Sequence, residues 1–498
     1  MGNQSGIKFE NSYALLPKQF YARVNPESMP KVNIIKLNTE LAEELRLNPN
    51  WLIKDEGIRF LSGQEIATGS EPLAQAYAGH QFGTFVPQLG DGRALLLGEI
   101  KDIKGIKRDL QLKGSGRTPF SRNGDGRATL GPVLREYLIS EYMNAINIPT
   151  TRSLAVISTG ETVIRELKLP GAVLVRVASS HVRIGTFQYF AARQMNDEIK
   201  LLADYIIKRH YPSVLLEKDP YLRLFQNILE RQATLISNWM SVGFIHGVMN
   251  TDNTTLSGET IDYGPCAFMD QFQYDKVFSS IDHTRRYCYQ NQPKILLWNL
   301  TRLAETMLSL IDKNIDKSIK KMEEVLNTFP KVYEDLWLKK IILKLGLKEI
   351  KPSDKALVEN FLDLLHKENL DFNTSFYFLE KLLEGGSELK DGITKNHQNA
   401  LEKIQTSVWY NTWGKRLLAE EVDQKEIIER LHQNNPSAFP RNHLVEKALG
   451  SAIYDDDISP FNDLLTELMN PFMKRTLKNP MAHVPGPSEE VTQTFCGT

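Results

Sequence analysis

The sequence predicts an α+β fold: a first half rich in strands and glycine-bearing loops, followed by an extended, mainly helical C-terminal region. Two observations carry that expectation. From Val86 to about Asp270, β-type runs such as ALLLGEI (94–100), LQLKG (110–114) and AVLVRVA (172–178) alternate with glycines set beside charged residues, a pattern of backbone brought close to a ligand. Beyond Pro293 the texture changes. ILLWNLTRLAETMLSLI (295–311) and KALVENFLDLLHKENL (355–370) repeat apolar residues at helical spacing. The second follows Ser353 and Asp354, both suited to capping a helix N-terminus.

Composition sets the outer limits. A chain of 498 residues has room for about three domains of roughly 150 residues, and 41% apolar with 24% charged residues is ordinary globular usage. Sixty basic residues against 61 acidic ones leave a net charge of −1, so no global field recruits nucleic acid or anionic lipid. The three cysteines, Cys266, Cys288 and Cys496, are too few for a disulfide scaffold and form no CxxC zinc motif. No apolar run approaches the ~20 residues that cross a bilayer. The N-terminal stretch has neither an apolar signal core nor an Arg-rich transit bias. The expectation is a soluble cytoplasmic protein with no nucleic-acid or membrane partner.

LGDGR (89–93) reads as a tight turn before a strand, where Gly90 and Gly92 allow close backbone approach to a ligand. By itself Gly-Asp-Gly is ordinary hairpin chemistry. The next strand ends on Lys113, and a lysine among apolar residues calls for a partner or an anionic ligand. Glu136 lies in the helical segment PVLREYLISEYM. Pairing a strand lysine with a helix glutamate is how kinase folds hold the lysine against nucleotide phosphates, though either residue alone could simply face water. Between them, GSGRTPFSRNGDGRATLG (114–131) supplies glycines whose N–H groups can converge on an anion, and arginines that fork around phosphate oxygens. It is not a Walker A motif, and Pro119 stands where a dinucleotide fingerprint needs its third glycine. Arg176 and Arg183, in VRVASSHVRIG, add candidate phosphate ligands.

The segment GFIHGVMNTDNTTLSGETIDYGPCAFMD (243–270) follows the amphipathic run YLRLFQNILERQATLISNWM. Protein kinases place HRDxxxxN after such a helix and then a metal-binding DFG. Here His246 and Asn253 keep that separation, and Asp262-Tyr263-Gly264 stands for Asp-Phe-Gly. Amide and carboxylate oxygens converging on one point suit Mg²⁺ or Mn²⁺, which also take oxygens from a bound triphosphate. Val248 occupies the position of the kinase aspartate and cannot deprotonate a hydroxyl; Asp252 offers a displaced carboxylate as general base. These residues predict a protein-kinase-like two-lobed fold that uses ATP. They leave open nucleotidyl transfer, conventional phosphotransfer, and an inactive nucleotide-binding pseudokinase scaffold.

Three runs, YAGHQFGTFVPQLGDGRALLLGEI, LQLKGSGRTPFSRNGDGRATLGPVLREYLISE and HGVMNTDN…IDYGP, closely resemble the selenoprotein O family. The resemblance covers most of the chain and is densest from about 77 to 270. It implies a pseudokinase fold that binds ATP in a flipped orientation and transfers AMP to Ser, Thr or Tyr hydroxyls of proteins, with some bacterial members also using UTP. It further implies that Gly90, Gly92, Arg93, Asp125 and Gly126 contact nucleotide, and that Lys113, paired with Glu136, binds phosphate together with Arg176 and Arg183. Asn253 and Asp262 would hold the metal and Asp252 would accept the proton. The expected organisation is an N-terminal segment packed on the small lobe (1–85), a kinase-like N-lobe with nucleotide-binding loops (86–190), a C-lobe core with catalytic and metal-binding loops (191–295), a helical region (296–478) and a mobile tail (479–498). Cys496 falls where some members carry selenocysteine and others cysteine, and a redox disulfide with Cys266 is a candidate regulatory device.

Overall fold

In the computed structural model, which describes residues 7–385, 394–475, 479–486 and 488–495, the first half of the chain is built on one antiparallel sheet. Its first strands are β1 (Tyr21–Arg23), β2 (Asn33–Leu37) and β3 (Leu73–Gln75), and a separate hairpin follows, β4 (Gly79–Gln81) with β5 (Thr84–Val86). The sheet then continues with β6 (Ala94–Lys101), β7 (Lys107–Lys113), the short β8 (Ala128–Thr129), β9 (Arg152–Ile164) and β10 (Lys168–Ala178). The spatial order is β1-β3-β6-β7-β10-β9-β2, with β8 beside β10. The predicted runs 94–100, 110–114 and 172–178 fall on β6, β7 and β10.

Alternation along β7 and β10 decides what each face does, because successive side chains of a strand point to opposite sides. Leu110 and Leu112 of β7, with Val173, Val175 and Val177 of β10, are buried in one cluster. That cluster also takes Leu41 of α1 (Thr39–Glu44), Leu52 of α2 (Pro49–Leu52) and Phe60 of α3 (Asp55–Ser62). The intervening positions carry Gln111, Lys113 and Arg176, and the register sets Leu174 opposite Lys113 and Arg176 opposite Gln111. This polar face meets α4 (Leu130–Ala145), whose Glu136 reaches Lys113.

The rest of the chain is mainly helical. After α5 (Ile184–Ala191) and α6 (Asn196–His210), α7 (Pro220–Ser241) leads into β11 (Phe244–Ile245), which pairs with β12 (Ala267–Phe268). The loop between those two short strands carries the HGVMNTDN and DYG segments. Ten helices complete the described chain: α8 (Gln292–Ile311), α9 (Ile315–Leu326), α10 (Phe329–Lys344), α11 (Asp354–Glu368), α12 (Phe372–Leu383), α13 (Lys395–Gln405), α14 (Val408–Leu418), α15 (Gln424–Asn434), α16 (Asn442–Tyr454) and α17 (Ser459–Leu468). The predicted helices 295–311 and 355–370 are α8 and α11. Ser353 sits at the cap position of α11 without capping it through its side chain. Asp354 instead accepts the Lys351 N–H and the Arg416 guanidinium. No helix among the described residues is long and apolar enough to cross a membrane.

The helical region buttresses the site from behind. Arg135 of α4 pairs with Glu446 of α16, the Tyr142 hydroxyl donates to the Ala438 carbonyl (3.0 Å), and Tyr137 meets Phe461 of α17 ring to ring. Arg441, wholly buried, ties Asp270 (2.7 Å), just after β12, to Asp371 (2.5 Å), at the start of α12. Residues near the end of the described chain also return to this centre. Thr494 donates its N–H to Phe278 O (2.7 Å) and its hydroxyl to Pro265 O (2.5 Å). Replacing Arg441 by Met leaves two carboxylates buried without a counter-ion, a loss of roughly 3–5 kcal/mol. A clear drop in the urea midpoint of the variant is the expected result, and an unchanged midpoint refutes the clasp.

Candidate active site

The site assembles around the Asp262 carboxylate. Asp262 adopts a left-handed backbone conformation (φ 63°), which turns the chain sharply between Ile261, whose carbonyl accepts from His246 Nε2 (2.8 Å), and Tyr263, whose hydroxyl meets that of Thr150. Three cations converge on this one carboxylate. Lys113 Nζ and Arg176 each lie 2.8 Å from Oδ1, and Arg183 lies 3.4 Å from Oδ2. Glu136 bridges the first two, 2.6 Å from Lys113 and 3.1 Å from Arg176, while Gln111 Oε1 accepts from the other side of the Arg176 guanidinium (2.6 Å). Burial alone would raise the Asp262 pKa, but Lys113, Arg176 and Arg183 outweigh it and hold the carboxyl well below its usual range. Lys113, Arg176 and Arg183 thus bring three cationic side chains to one site, donors suited to phosphate oxygens.

A cavity of about 480 Å³ opens over this cluster. Every nucleotide, metal and proton-transfer residue expected from the sequence lines it: Gly90, Gly92, Arg93, Lys113, Asp125, Gly126, Glu136, Arg176, Arg183, Asp252, Asn253 and Asp262. Some have contacts that the sequence did not announce. What lies close to Gly90 and Gly92 is the neighbouring loop: a Cβ at 90 would stand 2.4 Å from the Phe120 ring, and one at 92 would stand 2.9 Å from Phe120 O. Thr118 Oγ1 donates to Asp91 O (2.7 Å) and Ser121 to Gly92 O, locking the two glycine-rich loops together. The Asp125 carboxylate accepts from Arg165 (2.7 Å) and from the Arg127 amide (2.9 Å), so it holds its own loop in shape.

Asp252 and Asn253 sit on a short helical turn. Asn253 commits its amide nitrogen to Val248 O (3.0 Å), which fixes the orientation of the side-chain amide and leaves its oxygen as an acceptor. Asp252 is buried. Its Oδ2 accepts from Gln81 Nε2 (3.2 Å), while Oδ1 has no hydrogen-bond partner. Burial pushes the Asp252 carboxyl up to about 6, against its own backbone amide, Gln81 and Arg183. Oxygen donors at 253 and 262 around one cavity are of the type that suits a hard divalent ion sharing its shell with phosphates. No group of three or more His, Cys, Asp or Glu side chains able to hold a metal by themselves occurs among the described residues.

The segment before residue 86 also walls the site. Tyr77 lies under the Arg183 guanidinium (4.5 Å to the ring centroid) and meets it through its hydroxyl (3.2 Å). Buried Asp91 takes the Gln75 amide (3.0 Å) and faces Arg183. The β4–β5 hairpin is latched to the 250–252 turn. His80 N donates to Thr251 Oγ1 (2.7 Å) and Phe82 N to Asn250 Oδ1 (3.1 Å). Gly79 has no side chain because a Cβ there would stand 2.3 Å from Asp252 Oδ1. The glycine, histidine and glutamine of AGHQFG were the only local signal of this role. Cys266 lies outside the cavity lining, wholly buried, with its Sγ on Tyr263 O (3.3 Å) and its thiol pushed by burial up to about 12, so little thiolate forms at neutral pH. Cys496 lies outside the described residues.

A family model described as "Protein adenylyltransferase SelO" matches residues 4–469. Among curated relatives, the chain is 50% identical over 490 residues to a protein of Rhodopseudomonas palustris (strain BisB18) named protein nucleotidyltransferase YdiU, covering 98% of this chain and 99% of the relative. It is 48% identical, with the same coverage, to a protein of that name from Bradyrhizobium diazoefficiens.

The raised pKa of Asp252 has a consequence for stability. The folded carboxyl keeps its proton up to about pH 6, the unfolded one only to about pH 4. Stability therefore falls as pH rises through that window, and the penalty is complete above it. Asp252→Asn removes a penalty on the order of 2 kcal/mol. The variant should melt above the wild type at pH 8, and the gap should close near pH ~4. A variant that melts lower at pH 8 contradicts the assignment.

Proposed function

The chain belongs to the SelO family of protein adenylyltransferases, and on that premise we propose that it transfers AMP from ATP to a Ser, Thr or Tyr hydroxyl of an acceptor protein, releasing pyrophosphate, with UMP transfer from UTP as a variant of the same reaction. The single observation that carries this reading is the buried Asp252 carboxylate, with one unpartnered oxygen, in the same cavity as the Lys113–Glu136–Asp262 cluster. The arrangement supports a kinase-like, two-lobed reading of the fold: β6, β7 and β10 with α4 correspond to a nucleotide-binding lobe, and the 246–264 loop to a catalytic one.

In this reading Lys113, Arg176 and Arg183 bind the triphosphate, and Glu136 keeps Lys113 aimed at it. Asn253 and Asp262 hold Mg²⁺ or Mn²⁺, which when bound adds positive charge beside the phosphates. Asp252, kept near neutral proton affinity by burial and positioned by Gln81, takes the acceptor proton. The hydroxyl oxygen forms a bond to the α-phosphorus while the bond from that phosphorus to the β-phosphate oxygen breaks. Arg176 and Arg183 stabilise the charge gathering on the pyrophosphate. Val248, which lines the cavity, has no part in proton transfer; that work belongs to Asp252, which lines the same cavity.

The test is incubation with acceptor protein and ATP labelled at the α or the γ phosphorus. Label from the α position retained on protein is the expected outcome; label from γ points to phosphotransfer, and neither to a nucleotide-binding scaffold. Asp262→Ala should abolish metal-dependent transfer and Lys113→Ala should lower kcat/KM by roughly 100-fold or more, whereas near-normal rates in either variant overturn their roles. Because Asp252 acts only when ionised, the rate should rise with pH through about 6 and level off above it.

A further inference from the structure

Beside the wall that carries Asp252 lies a cation that the nucleotide-binding cluster does not use. The Phe82 side chain lines the cavity, and its ring centroid is 5.1 Å from that of Tyr287. The Tyr287 hydroxyl donates to Asn250 Oδ1 (2.7 Å), two residues before Asp252. Arg286 sits behind this pair. Its guanidinium carbon is 5.7 Å from the Tyr287 ring, 4.8 Å from the Trp298 ring and 3.4 Å from where a Cβ of Gly83 would stand. It is therefore linked to the turn that carries Asp252 through Tyr287 and Asn250, and it is not among the residues lining the nucleotide cavity.

The carboxylates around Arg286 are committed elsewhere. Asp282 spends both oxygens on the backbone amides of Arg286 (2.9 Å) and Tyr287 (2.8 Å), Asp275 pairs with Arg285, and Glu305 pairs with Arg302 (2.6 Å). Arg286 Nε is buried with no hydrogen-bond partner. Among the described residues Arg286 has no ion-pair partner, which is unusual for a half-buried guanidinium, since losing water without gaining an anion is unfavourable. The indole of Trp298 compensates in part, carrying Arg286 on one contact and Arg302 on another (5.1 Å). Apolar surface adjoins it: Ile281, which also lines the cavity, is 52% exposed and Phe85 37%.

We propose that this rim is an acceptor-docking surface for acidic polypeptide, in which Arg286 reads a carboxylate side chain flanking the hydroxyl to be modified. The inference rests on the nucleotidyl-transfer reading for its placement next to Asp252. The charge complementarity commits the occupant: in the proposed reaction Lys113, Arg176 and Arg183 serve phosphate inside the cavity, whereas Arg286 lies outside its lining and packs on Tyr287, which in turn packs on the cavity-lining Phe82. Its planar fork matches a carboxylate in two-point fashion. Ile281 with Phe85 gives the flanking apolar contacts of a short extended segment.

The test uses the full chain and peptide sets carrying one Ser, Thr or Tyr with Glu, Gln or Lys at each flanking position. With α-labelled ATP, the Glu peptides should show KM values roughly 3- to 10-fold below the Gln peptides, with similar kcat, and the difference should shrink as salt rises. Arg286→Glu should reverse the order in favour of Lys, and Arg286→Gln should level it, with ATP affinity unchanged in both. Equal KM values for Glu, Gln and Lys peptides on the wild type, or an unchanged ranking in Arg286→Glu, overturn the proposal. Peptide binding measured by fluorescence anisotropy without nucleotide reads the surface independently of transfer. An acidic preference that depends on Arg286 in that assay, alongside failed AMP transfer, would count against the reaction and in favour of the surface; its absence, alongside successful transfer, would do the reverse.

Discussion

Most of what positions this site follows from one carboxylate being shared by three cations. Asp262 comes from the loop between two short strands, Lys113 and Arg176 from adjacent strands of the sheet, and Arg183 from the start of α5. The paired strands β7 and β10 bring Lys113 and Arg176 together, and the carboxylate joins both to Arg183. Coulomb attraction among partly buried groups is strong enough to matter, because little water screens it. Breaking any one contact leaves a charge with too few partners, so the elements are held in register jointly rather than pairwise.

Behind this cluster the molecule is arranged in two supporting layers. The apolar face of the sheet rests on α1, α2 and α3. The opposite side of α4 is covered by α16 and α17. The second contact gives the helical third a structural role that its amphipathic stripes alone did not define: it backs the helix that carries Glu136. Arg441 performs a related service for the loop bearing Asp262, fastening the far end of that loop to α12.

The sequence made part of this legible for identifiable reasons. Lys113, Glu136, Asn253 and Asp262 are polar residues in strand, helix and loop settings where kinase-type chemistry puts them, so type and spacing sufficed. Tyr77, Gly79 and Gln81 were not legible as site residues. Tyr and Gln carry no charge, a glycine in a Gly-rich chain draws no attention, and their contacts lie far away along the chain: Gln81 touches Asp252 across a separation of 171 residues. No local periodicity encodes such a contact. Gly90 and Gly92 illustrate the reverse case, since close approach was legible but its object was not: what lies against them is a second protein loop, by the Phe120 ring at 90 and by backbone at 92. Ser353 shows a smaller version of the same limit, a good capping residue whose neighbour Asp354 makes the bonds instead.

The strict alternation of β7 and β10 has an evolutionary corollary. Leu110, Leu112, Val173 and Val175 alternate with Gln111, Lys113, Leu174 and Arg176 on the same two strands, so foldability and chemistry are written in one frame. An insertion or deletion of one residue inside either strand exchanges the two sets at once. It drives ammonium and guanidinium groups into the apolar layer while removing them from the Asp262 carboxylate. Length change is therefore confined to the turns, such as the one between Lys101 and Lys107, and divergence within these strands has to proceed by substitution, alternately constrained by packing and by charge.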